Sequence, residues 1–413
     1  MSLLPLEILQ TPETSPALLQ GKPFGRRQSA VATESDIWRR PISMSELLIA
    51  SVVTIGLGAI LVAWLAPRYP YYLDTFHLIS AAIRHWNFKG LPANQPKEFW
   101  GFAYVAAAVA AITRIPDIYS AVLVAASMFV VASYLCGRLW GTTIAAWFMG
   151  VNWWYIDGAV EGLSEPLFMA LVFGSFIAMR KEKWAIAALL ASGATVVRPV
   201  GIFVLLAMGI VLLWRKEYRQ LAIAVSIGAA IGIAYMIPMQ LIYGNPLANV
   251  SGYRTSDWAG YLPVGLPFVA LFKGAAHVVT TWHVTHPGFV WRPLVEELVT
   301  ATWVLVTLAG VVKMGFDNGF RRYARAYPAE AIFAGSYATF LFCYNSDIWS
   351  WDMFVRFALP LAPFLLLVFL NKGARDRRIL YPVVLFNVLL SAWPKIPPIH
   401  QVFALIRTGI GIH

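Results

Sequence analysis

"FWGFAYVAAAVAAIT", residues 99–113, decides the fold of this chain, because counting it as a membrane crossing inverts every loop that follows. A helix rises about 1.5 Å per residue, so this stretch is shorter than the roughly 20 apolar residues a hydrocarbon core requires. Left out of the count, it becomes a juxtamembrane helix lying along one interface. The rest of the chain then falls into a consistent order.

That order is a membrane protein's. The 413 residues are 59% hydrophobic and only 13% charged, with a mean hydropathy of +0.64, which is outside the soluble globular range. The net charge of +11 would suggest nucleic acid in a soluble domain. Here the basic residues stand in short runs between apolar segments, where they orient the chain in a bilayer, so nucleic acid is set aside as a partner. The expected fold is all-α and polytopic, with about eleven crossings near 46–66, 117–136, 141–156, 163–180, 184–197, 199–214, 220–243, 296–314, 330–345, 353–371 and 378–393.

With 99–113 excluded, the inner side receives Arg138, "RKEK" at 180–183, "RKEYR" at 215–219, "RRYAR" at 321–325 and "KGARDRR" at 372–378. It also receives residues 1–45, read as a cytoplasmic, partly disordered tail, since they lack the apolar core and small-residue site of a cleavable signal. Most of the 32 Lys and Arg thus lie inside, in short loops, as the positive-inside rule demands. Two long loops, 67–116 and 244–295, belong to the outer side, where function is expected. The membrane domain covers 46–393, and a short segment, 394–413, follows on the outer side. Cys136 and Cys343 fall near opposite faces, too far apart to be bridged. No solenoid period and no transporter-like duplication is visible.

Few polar residues are placed where chemistry could use them. "PRYPYYLDTFHLI", residues 67–79, puts Asp74 just beyond the first crossing among Tyr71, Tyr72, Phe76 and His77. It is either an interfacial acid in an aromatic belt or a base on a crowded apolar wall. If helix follows, Asp74, His77, Leu78 and Arg84 share nearly one face. "YIDGAVEGLSEPLFMAL", residues 155–171, repeats carboxylates every four residues at Asp157, Glu161 and Glu165. On one continuous helix these would stack and repel, unless a cation or water offsets them. The alternative is a helix start with acids at its N-terminus and Pro166 in its first turn.

"TVVRPVGIF", residues 195–203, lies between two inner basic runs, so Arg198 must sit at or below the outer turn of a helical hairpin. It needs an anion, either Glu165 or Glu161 or a phosphate. "WSWDMFVRFALPLAPFLLL", residues 349–367, places Arg356 inside a crossing and four residues after Asp352, with which a local ion pair would satisfy it. In the second outer loop, "SGYRTSDWAGY" at 251–261 offers Tyr253, Arg254, Asp257 and Trp258, groups suited to stacking on sugar rings and equally ordinary in loops. "HVTH" at 283–286 lacks a third ligand at zinc spacing, and the "NVS" sequon at 249–251 is too common by chance to carry weight. No nucleophile elbow, Walker loop, dinucleotide fingerprint or metal motif occurs, and no cofactor is implied.

In this order, "YYLDTFHLISAAI", "FWGFAYVAAAVAAIT", "GLSEPLFMAL", "VVRPVGIF" and "RFALPLAPFLLL" resemble the GT-C superfamily of integral membrane glycosyltransferases. The nearest branch comprises GPI mannosyltransferases and bacterial polyprenyl-phosphate-dependent relatives, and the resemblance covers roughly residues 46–371. It implies a GT-C-like bundle with juxtamembrane helices in the first outer loop. It further implies a lipid-phosphate sugar donor carrying a hexose such as mannose, and a lipid, glycan or protein acceptor. Asp74 matches the catalytic base, while Arg198 and Arg356, and more weakly Arg254, match the phosphate-binding cations; His77, Arg84, Glu161, Glu165 and Tyr253 join the expected substrate site. The chain departs from the pattern in having no second acid beside Asp74 and no Asp-x-Asp motif, which puts metal dependence in doubt.

A phosphate leaving group needs no protonating acid, unlike the alkoxide that a glycosidase expels. One base on the acceptor hydroxyl and cations on the phosphate suffice, and a single displacement inverts the anomeric carbon. The rival is a transporter or flippase for an anionic lipid-linked substrate, in which the same buried charges line a path; a noncatalytic scaffold leaves them unexplained. Short loops without retention signals favour a bacterial plasma membrane over the endoplasmic reticulum.

Overall fold

A computed structural model describes residues 41–65, 74–88, 91, 98–256, 264–285, 291–346, 349–370 and 376–392. Every regular element in these residues is a helix. In chain order they are α1 (Met44–Leu65), α2 (Asp74–His85), α3 (Gly101–Thr113), α4 (Asp117–Trp140), α5 (Thr142–Val151), α6 (Trp153–Glu161) and α7 (Glu165–Arg180). Then come α8 (Trp184–Val197), α9 (Ile202–Trp214), α10 (Tyr218–Tyr243), α11 (Ala248–Ser256), α12 (Val269–Thr285) and α13 (Trp291–Phe316). The chain ends with α14 (Asn318–Ala326), α15 (Pro328–Cys343), α16 (Trp349–Asp352), α17 (Phe354–Phe357), α18 (Ala362–Phe369) and α19 (Arg377–Ala392).

Among the described residues, stretches within α1, α4, α10 and α13 are long and apolar enough to cross a membrane singly, and the bent pair α6 and α7 makes a fifth if the two count as one span. Unbroken helices therefore do not reach the expected count of about eleven. Two of the expected crossings are interrupted for visible reasons. The one at 141–156 breaks at Asn152, whose side chain leaves the helix to cap α6 by accepting from the Tyr155 N–H at 3.2 Å. The one at 353–371 divides into α17, a 3₁₀ turn at Leu359–Leu361 and α18, because Pro360 and Pro363 cannot continue an α-helical ladder.

The long helices leave apolar side chains facing outward: Ile49, Val53 and Ile60 on α1, Val225, Ile233 and Leu241 on α10, and Leu298 and Leu305 on α13 are exposed. Water would penalise such surfaces and a bilayer would not, so these faces are compatible with a membrane protein. Inside, small residues let backbones approach, as with buried Ala187, Ala188, Ala191 and Ala194 along α8. Aromatic rings fill the remaining space edge to face, Trp140 against Phe173 at 5.1 Å and Phe176 against Phe333 at 5.4 Å.

Contacts sort the helix termini into two ends. At one end Thr142 Oγ1 donates to the Ile42 carbonyl at 2.5 Å, Arg377 pairs with Glu46 at 3.1 Å, and Arg180 reaches both the Leu139 carbonyl and Glu330. Arg215 and Glu182 meet at 3.5 Å between two loops of this same end. It gathers the runs "RKEK", "RKEYR" and "RRYAR", as the charge bias requires. The opposite end gathers Asp117, Glu165, Arg198 and Arg356.

Helix α3 has both of its termini at that second end. Gly101 lies so close to the end of α8 that a Cβ there would stand 2.5 Å from the Val196 carbonyl oxygen. Its other terminus is closed by Arg114 in the left-handed region (φ 59°) and leads through Ile115 and Pro116 into Asp117. Helix α3 therefore does not cross the bundle, in keeping with its exclusion from the crossings. Cys136 and Cys343 are both free thiols.

Candidate functional site

Glu165 owes its position to a broken helix. Gly162 ends α6 in the left-handed region (φ 76°), which costs a glycine little, and the chain turns through 110° before α7 begins. Pro166 fits the first turn of α7, where no N–H is needed, and the Glu165 carboxylate sits at the positive end of that helix. Of the two readings of 155–171, the stacked three-carboxylate face is thereby ruled out, and the helix start with an acid and Pro166 in its first turn is the one found. Asp157 and Glu161 stay on α6, buried at 4% and 1% exposure, while Glu165 turns away on α7.

The same end receives two arginines from elsewhere. Pro199 excludes the helical region for the residue before it, so α8 stops and Arg198 is extended (φ −147°, ψ 131°). A 3₁₀ turn, Pro199–Gly201, folds the chain back so tightly that a Cβ on Gly201 would stand 2.5 Å from backbone atoms of Ala194 and Thr195. Arg356 lies on the short α17, tied down by Asn152, whose Nδ2 donates to the Val355 carbonyl at 2.9 Å. The break at Asn152 thus helps to position Arg356.

Arg198 Nη1 and Arg356 Nε both donate to Glu165 Oε1. Glu165 Oε2 is buried and has no hydrogen-bond partner among the described residues. The Arg356 guanidinium lies 5.7 Å from the centre of the Trp154 ring, and its Nη groups make no hydrogen bond among the described residues. Two guanidinium groups against one carboxylate leave this trio one positive charge in excess. The local partner expected for Arg356, Asp352, has its side chain outside the described residues.

All three side chains line a cavity of about 360 Å³, within the usual range for small-molecule sites. Its walls are largely apolar and rich in aromatic rings, with Phe76, Phe99, Phe203, Tyr337, Tyr344 and Phe357 among them. Tyr337 is fixed by donating to the Phe357 carbonyl at 2.7 Å. Glu98 and Phe99 enter the lining from the segment just before α3, held by a set of contacts with α10 and α11. Tyr235 accepts from the Trp100 N–H at 3.1 Å and donates to Asn249 Oδ1 at 3.0 Å, while Asn249 Nδ2 donates to the Glu98 carbonyl.

No protein-family model matches this chain, and no curated protein does. The site is therefore read from its own residues.

Of the expected site residues, Glu165, Arg198 and Arg356 come together. Helix α2 begins at Asp74 and brings Phe76 into the cavity wall, but the Asp74 side chain lies outside the described residues, as do those of Tyr253 and Arg254 and the whole "HVTH" pattern. His77 is half-buried beyond the lining. Arg84 is directed elsewhere: it pairs with Asp117 at 2.5 Å, beside Ser80, whose Oγ donates to the same carboxylate at 2.8 Å. That pair clamps α2 to the start of α4. Glu161 is buried within α6 and also does not line the cavity. The Asn249 sequon is closed to modification in this fold, since the side chain is 3% exposed and both ends of its amide are engaged.

Glu98 escaped the sequence reading altogether. The signal was its place in "EFW", an acid directly before an aromatic pair at the start of an apolar helix. Among the described residues no three His, Cys, Asp or Glu stand close enough together to hold a metal.

Proposed function

We propose that the chain is an integral membrane glycosyltransferase that moves a hexose from a polyprenyl-phosphate donor to an acceptor hydroxyl at the outer face of the membrane. The observation that supports this most is the convergence of Arg198 and Arg356 on one oxygen of Glu165, at the wall of an apolar cavity, with the Arg356 Nη donors making no hydrogen bond among the described residues. Such donors are matched to phosphate oxygens in both charge and fork geometry. The aromatic walls suit the isoprenoid and the apolar face of a sugar.

In the proposed reaction the donor phosphate rests on the arginines. Asp74, at the N-terminus of α2 beside the cavity wall, takes the acceptor's hydroxyl proton. The acceptor oxygen bonds to the anomeric carbon as the bond from that carbon to the phosphate oxygen breaks. The polyprenyl phosphate leaves with the bonding pair and an added negative charge, which the two guanidinium groups stabilise more strongly than the donor's single charge. Stabilisation that grows toward the transition state is what accelerates a reaction. The anomeric configuration inverts, and no protein acid is needed.

The test is transfer of radiolabelled hexose from a polyprenyl-phosphate donor by purified protein in detergent. Asp74→Asn is expected to lower the rate by about 10²- to 10⁴-fold with the protein inserted normally. Wild-type rates for that variant would remove Asp74 from the mechanism. Movement of the intact donor across a vesicle membrane without a new glycosidic bond would favour the transporter instead.

A further inference from the structure

The basic end of the molecule is not uniformly basic. Its runs "RKEK" and "RKEYR" carry acids of their own, and Arg215 meets both Glu182 at 3.5 Å and Glu217 at 3.8 Å. The run "RRYAR" contains none. Between Lys313 and Tyr327 the one carboxylate in the sequence is Asp317, and it is engaged as the cap of α14, accepting from the Phe320 N–H at 2.6 Å. Four exposed cations, Lys313, Arg321, Arg322 and Arg325, therefore stand against this single acid.

Helix α14 lies where a membrane surface would be. The apolar stretch of α13 that can cross a bilayer ends at Phe316, immediately before it. Both ends of α14 stay at the basic side of the bundle. Arg321 donates from Nε and Nη2 to the Gly315 carbonyl at 3.1 and 2.8 Å, closing the end of α13, and α15 begins at Pro328, two residues before the Glu330 that meets Arg180. The inward side is aromatic: Phe320 and Tyr323 pack on the core, and Tyr323 accepts from Trp140 at 2.7 Å. Arg322 and Arg325 are three residues apart and share the opposite face. The helix is thus fixed in rotation as well as in place. Beside it the last turns of α13 expose Val312 and Phe316, at 52% and 76%. These apolar groups suit the acyl side of an interface, and the guanidinium groups suit its phosphates.

We infer that the outward face of α14, together with Phe316, is a docking surface for the headgroups of anionic phospholipids in the leaflet at the basic end. An uncompensated run of cations directly beyond a crossing gains about fivefold in affinity for such a leaflet per Lys or Arg. A zwitterionic headgroup brings its own ammonium with its phosphate, so the surface discriminates by net charge. The inference does not depend on what the cavity at the opposite end does.

The measurement is native mass spectrometry of the full-length protein, released from detergent micelles doped with phosphatidylglycerol or phosphatidylcholine. The wild type is expected to retain phosphatidylglycerol in preference. Arg322→Gln combined with Arg325→Gln should lower that retention by about 25-fold at limiting lipid and leave phosphatidylcholine unchanged. Both side chains are exposed, so the thermal midpoint in lipid-free detergent should hold. Should the double variant fail to insert, each single glutamine variant gives the same reading at about fivefold. Arg322→Lys combined with Arg325→Lys keeps the charge and should keep most of the preference. Lys181→Gln combined with Lys183→Gln removes as much charge from the run that holds Glu182, and should cost less than about fivefold. Glutamine variants that retain phosphatidylglycerol as the wild type does overturn the inference. So does an equal loss in the Lys181 and Lys183 control, which would show a diffuse response to net charge instead of a surface on α14.

Discussion

Two buried arginine–glutamate clusters hold this molecule, one at each end, and they differ in how completely they are satisfied. At the basic end Arg180 meets Glu330 through two parallel bonds, Nε to Oε1 at 2.6 Å and Nη2 to Oε2 at 2.9 Å, and Nη1 donates to the Leu139 carbonyl at 2.8 Å. Tyr323 donates to the same carboxylate, and the guanidinium rests 3.8 Å from the centre of the Tyr327 ring. Every nitrogen of Arg180 is used, and one cation faces one anion. At the cavity end two cations share one carboxylate oxygen, the other oxygen is unmatched, and Arg356 commits only Nε among the described residues. The carboxylates are equally buried, each side chain 3% exposed. Burial therefore does not separate a strut from a site; unspent donors and an adjoining cavity do.

The largest expected effect is at the closed cluster. Removing one partner of a buried pair strands the other, a loss of about 3–5 kcal/mol. Glu330→Ala should accordingly lower the unfolding midpoint in detergent more than any other single change proposed here, and added lipid phosphate should not restore it. Glu165→Ala also strands arginines, but into a cavity that an anion can enter, so farnesyl phosphate should recover much of its loss. Rescue of both variants, or of neither, would erase the distinction between the two ends.

A smaller effect comes from the ligand itself. An anion that binds only the folded protein adds about 2.7 kcal/mol of stability at a hundred times its dissociation constant. Farnesyl phosphate should therefore raise the thermal midpoint of the wild type. Arg356→Gln should abolish the rise while changing the unliganded midpoint little, because Arg198 still holds Glu165. An unchanged shift in that variant would relocate the anion site.

These two clusters also mark what a sequence displays and what it hides. Apolar runs and basic loops made the helical membrane class legible, and the length of 99–113 excluded it from the crossings, because both are local properties of composition and reach. Glu165 was one of the anions open to Arg198, beside Glu161 and a phosphate, since a buried guanidinium must find one. For Arg356 the sequence offered a local partner in Asp352, whose side chain lies outside the described residues; the carboxylate it is seen to meet lies 191 residues away on α7, and the turns at Asn152, Gly162 and Pro360 that bring the two together reorient helices without altering their periodicity. Arg180 read as one of four charges in a solvated inner run, and Glu330 did not register at all. Long-range pairing is a product of packing, and neither spacing nor hydropathy encodes it.

The finest comparison concerns a single hydroxyl. Tyr323, on the short α14 at the basic end, accepts from Trp140 Nε1 at 2.7 Å and donates to Glu330. Burial pushes its phenol well above the ordinary value, and the neighbouring Glu330 carboxylate pushes it further, so the hydroxyl keeps its proton and its role as donor throughout the accessible pH range. Tyr323→Phe preserves the ring and its packing against Tyr327 at 5.3 Å, removing only the oxygen. Glu330 retains both bonds from Arg180, so its charge stays compensated, while the Trp140 N–H loses its acceptor. The expected cost is about 1–2 kcal/mol, independent of pH between roughly 6 and 9, with anion binding at the far end unaltered. A loss as large as that of Glu330→Ala would mean that the tyrosine, and not the ion pair, fastens this end of the bundle.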